Sequence, residues 1–204
     1  MNIFILHRNK KICAQQHVDD HCKQSINEYA QMLATAYRHK NGVKETIYRR
    51  IVIKRNGVKI IKLSPRSIYV LPDDDIIVRR GLRIIKKLCI PSNAFEKHPC
   101  TVWVGESKAN YEFLFEIYVH LCNEFFHRFS NIHFASNYAT YLTHTPDLPD
   151  LGLTKYPKFS WSSLKSNSFS QVIEDYRQYY INEKSHIAKW TKRKKPSWFD
   201  NKVA

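Results

Sequence analysis

Between Ile12 and Lys40 the chain carries Val18, Cys22, Ile26, Tyr29, Leu33 and Tyr37 at spacings of three and four. That is the apolar stripe of an amphipathic helix laid on a core. It predicts one long helix over 12–40, stopped by Asn41-Gly42. A second stripe runs beside it through Cys13, His17, His21, Gln24 and Glu28, with Asp20 one turn from His17. Imidazoles and carboxylates on one rigid element are suited to proton transfer, so His17, Asp20, His21 and Glu28 are the candidate catalytic groups. No cofactor is expected. Zn²⁺ on Cys13, His17 and His21 is the alternative, although three ligands at that spacing match no standard zinc motif.

The rest of the chain divides by pattern. Asn2–Leu6 is a short apolar run followed by cations, with the wrong length and charge order for a signal peptide, and is expected to be an edge or buried strand. Residues 43–97 form a basic, β-rich insertion. In it the runs 45–54 and 58–64 flank Asn56-Gly57, the pair favoured in a type I′ hairpin turn. Further short strands are expected at 67–71 and 76–78, while 81–88 fits strand or helix. Lys97–Cys100 is expected to break structure before an apolar run containing Trp103. Ser107 should cap a second long helix over 108–129 striped by Tyr111, Leu114, Tyr118, Leu121 and Phe125. A helical stretch at 133–141 and a long loop at 147–168 follow. Ser168 or Ser170 then opens a third long helix expected to reach Trp190.

Charge narrows the function classes. Lys and Arg number 33 against 18 acidic residues, a net +15. Such an excess favours a polyanionic partner, with nucleic acid, and DNA in particular, the first expectation. Arg49, Arg50, Lys54, Arg55 and Lys59 decorate the hairpin. The C-terminal run, residues 189–204, mixes cations with large rings: Lys189, Lys192 and Arg193 would neutralise phosphates while Trp198 and Phe199 stack on bases or wedge between them. No apolar run is long enough to cross a bilayer, so no membrane association is expected. Five scattered cysteines without a CxxC pair read as free thiols in an intracellular protein. A Walker loop, GxGxxG and HExxH are all missing.

The motifs C-A-x-x-H-x-D-x-H at 13–21, H-P-C-x-x-W-V-x-E-S-x-x-N-Y at 98–111, Y-R-x-Y-Y-x-x-E-K at 176–184 and P-S-W-F at 196–199 resemble a family of small phage and large-virus proteins. Two segments also resemble the phage pyrimidine-dimer DNA glycosylases with abasic-site lyase activity: Ala14–His17 matches an A-x-Q-H helix start, and Pro196–Phe199 matches a basic Pro-hydroxyl-Trp-aromatic ending. The resemblance implies an active-site histidine at His17 and lesion contact by Trp198 and Phe199. The position of that family's catalytic glutamate holds Gln24, with Glu28 one turn further on. Candidate amines for imine chemistry are Met1, Lys23 and Lys184, and Arg177, Tyr180 and Lys184 lie in the third motif.

The expectation is an α+β, mainly helical single domain with an N-terminal strand and a basic β-hairpin insertion. Its expected function is glycosylase- or lyase-like processing of damaged or modified bases, with aromatic-assisted base extrusion. The alternatives are a non-enzymatic DNA- or RNA-binding protein, or a viral effector that binds a host protein or nucleotide.

Overall fold

The computed structural model describes residues 2–157 and 168–200. Ten of the residues expected in the long loop, Met1, and the last four residues of the basic tail lie outside the described residues. The fold is α+β: helices around one aromatic-rich core, with a four-stranded mixed sheet built by the insertion.

The first helical stretch is two helices, α1 (Lys10–Gln16) and α2 (Asp19–Asn41). His17 and Val18 between them are extended, with ψ of 138° and 157°. This corrects the single helix expected over 12–40. Its physical cause lies far along the chain. Arg128 donates to the carbonyls of Gln15 and His17, both at 2.8 Å, and Trp190 Nε1 donates to the carbonyl of Gln16 at 2.9 Å. Three carbonyls that a continuous helix would consume are thus taken by side chains more than a hundred residues away, and the break leaves none of them orphaned.

The N-terminal run is buried as expected, with Ile3, Ile5 and Leu6 fully covered, but among the described residues it pairs with no strand. Side chains do a neighbouring strand's work. Phe4 N–H donates to Tyr29 Oη (2.9 Å), Tyr156 Oη donates to Ile3 O (2.7 Å), and Arg177 Nε donates to Leu6 O (3.0 Å). Buried main-chain groups must be paired somewhere, and here tyrosines and an arginine pair them.

The insertion holds β1 (Val43–Arg55), β2 (Val58–Val70), β3 (Asp75–Arg79) and β4 (Leu82–Lys87) in the order β2-β1-β4-β3. The hairpin turns at Asn56 (φ 49°) and Gly57 (φ 79°), as the Asn-Gly pair predicts. The strand expected at 67–71 is the continuation of β2, and 81–88 resolves as strand β4. β4 pairs with β1 in parallel, where Tyr48 faces Ile84, so among the described residues the distal half of the β1–β2 hairpin has no third strand beside it.

Lys97–Cys100 does not simply break structure. His98 caps a short helix α3 (Pro99–Val104), with Pro99 in its first turn where a missing N–H costs nothing. Helix α4 (Lys108–Phe129) begins where Ser107 Oγ accepts from Asn110 N–H at 3.1 Å. The stretch at 133–141 is a 3₁₀ turn, Phe134–Tyr138, followed by α5 (Ala139–Leu142). Helix α6 (Phe169–Glu183) is capped by Ser168 and stops seven residues short of Trp190. All five cysteines are free. Among the described residues, no helix is long and apolar enough to cross a membrane.

Candidate nucleic-acid interface

The break between α1 and α2 decides which of the predicted catalytic groups can meet a substrate. His17 sits on the break and is fully buried; its Nδ1 donates to Cys13 O at 2.8 Å, and its Nε2 has no partner among the described residues. Burial pushes its pKa down to about 3. His17 is therefore a neutral interior ring, which corrects its expected role as a substrate-facing acid or base.

His21 lies at the edge of the core, 7% exposed. Its ring stacks on Phe4 with centroids 4.3 Å apart, and Nδ1 is 2.7 Å from Tyr180 Oη. Burial, with the nearby charge of Lys184, brings its pKa down to about 4 against the opposing pull of Asp20. At neutral pH it is an uncharged imidazole that can accept or donate through one nitrogen. Lys184 lies 5.3 Å from the ring centre of Tyr179. The fold thus assembles His21, Tyr180 and Lys184, with Asp20 close enough to be felt. Asp20 itself is half exposed and pairs with Lys23 at 3.8 Å. Glu28, half-buried on the same face of α2, has its carboxyl pushed up by burial.

The carboxylate that is interior is Asp19. It accepts from Arg128 (3.0 Å), from Thr191 N–H (3.0 Å) and from Thr191 Oγ1 (2.6 Å). Burial alone would raise its pKa, but those donors outweigh burial and hold it below the usual range. Glu124 accepts from Arg128 Nε (2.7 Å) and from both Nε and NH2 of Arg193 (2.9 and 2.8 Å). The broken helix shifts the phase, so Asp19 is buried in this cluster and Asp20 faces outward. A continuous-helix projection assigns them the other way round.

The C-terminal run is strapped to the body. Arg193 is consumed by Glu124, and Lys192 Nζ donates to His127 O and Ser130 Oγ at the end of α4. Trp198 packs edge-on to Tyr180 at 6.1 Å and under Arg177 at 5.5 Å, while Phe199 packs on Trp190 at 4.9 Å. Arg177, Lys192, Arg193, Trp198 and Phe199 thus each have a partner within the protein, with Lys192 exposed and Trp198 and Phe199 half-exposed. Lys189 remains exposed.

A cluster of unspent cations lies on the insertion. A cleft of about 650 Å³ between the sheet and α2 is lined by Arg49, Arg50, Arg66, Lys86 and Lys87, with Asn27, Gln31 and Tyr138 opposite and no carboxylate in its wall. Lys86 is shared with Asp75 (3.0 Å) and Arg66 reaches Asn93 O (3.3 Å), whereas the side chains of Arg49, Arg50 and Lys87 have no ion pair or hydrogen bond among the described residues. Arg66, Lys86, Lys87 and Tyr138 were not legible as site residues. Lys86 and Lys87 reach the cleft because β4 docks in parallel on β1. Lys54, Arg55 and Lys59 stand further out on the hairpin.

Helix geometry joins the two regions. Asp20, Gln24, Asn27, Glu28 and Gln31 recur at three- and four-residue spacing, and His21 is one turn before Gln24, so all border one face of α2. Gln31 in the cleft and His21 are ten residues apart, about 15 Å along the axis. For Zn²⁺ the donors do not converge: Cys13 Sγ bonds Phe4 O, both histidines are engaged through Nδ1, and no three metal-ligating side chains cluster among the described residues. In comparisons with protein-family models, curated protein sequences and solved structures, no match to this chain was found.

Proposed function

We propose that this protein processes nucleic acid, gripping the phosphate backbone in the cationic cleft and acting on an extruded base along the adjoining face of α2. The observation that carries this reading is the cleft wall itself: five cations, three of them with side chains that have no partner, and no carboxylate, among the described residues. Unpaired cations lining one cleft repel one another unless an anion is drawn among them.

The chemistry shares base removal with the pyrimidine-dimer enzymes the chain resembles, but with water in place of an amine as the nucleophile. Glu28, already biased toward holding a proton, takes one from a water as its oxygen bonds to the sugar C1′. The bond from C1′ to the base nitrogen breaks, and the electron pair leaves with the base. An N–H of neutral His21 donates a hydrogen bond to that departing base, which receives the proton from Glu28. A second reading, a binder without catalysis, is favoured by the burial of both His17 and His21.

Fluorescence anisotropy with labelled oligonucleotides over a salt series, paired with base-release and borohydride-trapping assays, separates these readings. For six phosphate contacts, affinity falls roughly 10³-fold between 50 and 200 mM salt, and Arg49→Ala/Arg50→Ala flattens the slope by about 1.8. Base release lost in Glu28→Gln with binding intact supports the enzyme. Binding without base release, strand cleavage or adduct leaves the binder, and salt-insensitive or absent binding removes both.

A further inference from the structure

The distal half of the hairpin is a two-stranded ribbon that reaches about 24 Å beyond Arg49. Between Thr46 and Pro72 the sequence has seven cations and no carboxylate. Cross-strand register sets its two faces. One face carries the pairs Lys54–Lys59, Val52–Ile61 and Arg50–Leu63 in succession from the tip. Val52 and Ile61 are 63% and 67% exposed, against 37% for Ile51 and Ile60 on the other face. The more open face is thus an aliphatic centre bracketed by cations at both ends.

Exposed branched aliphatics on a long unpaired ribbon are a liability in a free monomer, so a partner that covers them is the physical expectation. A second copy of this chain is a poor one. Seven like charges would meet seven, and Pro65 lies in the outer strand, where it withholds a ladder N–H. An anionic polymer with apolar groups on its accessible face fits both features. The B-form major groove, about 12 Å wide, admits a two-stranded β-ribbon and displays thymine methyls between phosphate walls. The A-form RNA groove is too deep and narrow for side chains to read.

We infer that the Val52–Ile61–Leu63 face of the ribbon enters the major groove of duplex DNA, making duplex DNA the substrate class. This rests on the proposed nucleic-acid function. The ribbon's aliphatics contact the groove floor, its tip lysines bond the phosphates, and the cleft at its root takes the backbone beyond.

The test is competition binding with a duplex DNA, the RNA duplex of the same sequence, and the same DNA with uracil in place of thymine. The proteins are the full chain, Val52→Thr/Ile61→Thr/Leu63→Thr, and Lys54→Gln/Lys59→Gln. Threonine is a good strand former and all three positions are exposed, so the ribbon should persist, and circular dichroism checks that the fold survives. The full chain should prefer DNA over the RNA duplex by about tenfold or more, the size of one good groove contact. Uracil substitution should weaken it several-fold. The threonine variant should lose both preferences while keeping the salt slope, and the lysine variant should weaken all duplexes alike. Equal binding of DNA and RNA duplexes, or preferences unchanged in the threonine variant, would overturn the groove assignment and leave backbone binding standing. Failure to bind any nucleic acid would overturn both.

Discussion

His17 shows how far a residue's surroundings can override its type. A histidine beside a carboxylate pair on a helix reads as a proton carrier, yet this one is sealed in the core with Nδ1 committed to Cys13 O. Its neutral form is required by burial, and the same holds less severely for His21. The sign for stability follows from linkage. In the unfolded chain both rings titrate near 6.5, and in the folded protein near 3 and 4. As pH falls below 6.5 the unfolded state takes up protons that the folded state refuses, so stability drops through this window and levels off below the folded values. His21 alone corresponds to on the order of 3 kcal/mol across its shift. Denaturant midpoints measured from pH 7.5 to 4.5 should therefore fall steadily, and His17→Gln should flatten the decline. An unchanged midpoint across that range would contradict the buried-neutral assignment.

The elements are joined by a few long side chains. Arg128, on the last turn of α4, touches Asp19 and Glu124 and takes the carbonyls of Gln15 and His17, so one guanidinium ties α1, α2 and α4 together. Arg38 does the same for α2 and the sheet. It bonds both oxygens of Asp74 at 2.7 and 3.0 Å and the carbonyls of Tyr69, Ile90 and Pro91. Buried pairs of this kind add modestly when intact and cost heavily when halved, because a bare charge stays behind. Replacing Arg128 with Met should cost about 3–5 kcal/mol. For a chain of this length that lowers Tm by roughly 10 °C, measurable by calorimetry. A loss under about 1 kcal/mol would mean that water replaces the clasp without penalty. The arginine pair on the cleft, Arg49 and Arg50, should behave in the opposite way, with substitution lowering affinity and sparing stability.

At the scale of the whole molecule, the positive charge is divided between two uses. Cations of the C-terminal run close the structure: Lys189 O accepts from Asp19 N–H at 2.8 Å, Thr191 and Arg193 satisfy Asp19 and Glu124, and Trp190 covers the break between α1 and α2. On the insertion, Arg83 pairs with Glu45 and Lys86 with Asp75, while the side chains of Arg49, Arg50 and Lys87 have no partner among the described residues. Truncation after Ala188 should therefore destabilise the body and open the 16–18 junction to protease, detected by limited proteolysis and mass mapping. An equally resistant truncated protein would show the strap to be dispensable. Binding of nucleic acid should protect a different region, residues 49–66 of the ribbon.

Much of this architecture is legible along the chain. Ser107 and the aliphatic-aromatic stripe mark α4, Asn56-Gly57 marks the hairpin, Ser168 marks α6, and the acid-free basic ribbon is plain in the sequence, because each signal lies within a few residues of the structure it specifies. What could not be read involves partners distant in sequence. The helix breaks at His17 because Arg128 and Trp190 take its carbonyls. The N-terminal run needs no partner strand because Tyr29, Tyr156 and Arg177 satisfy it. Asp19 and Asp20 exchange roles once the break resets the helical phase. Lys86 and Lys87 reach the cleft wall only after β4 lies parallel to β1. Local patterning reports propensity and amphipathic faces, whereas the pairing of buried polar groups is settled only when the chain closes on itself.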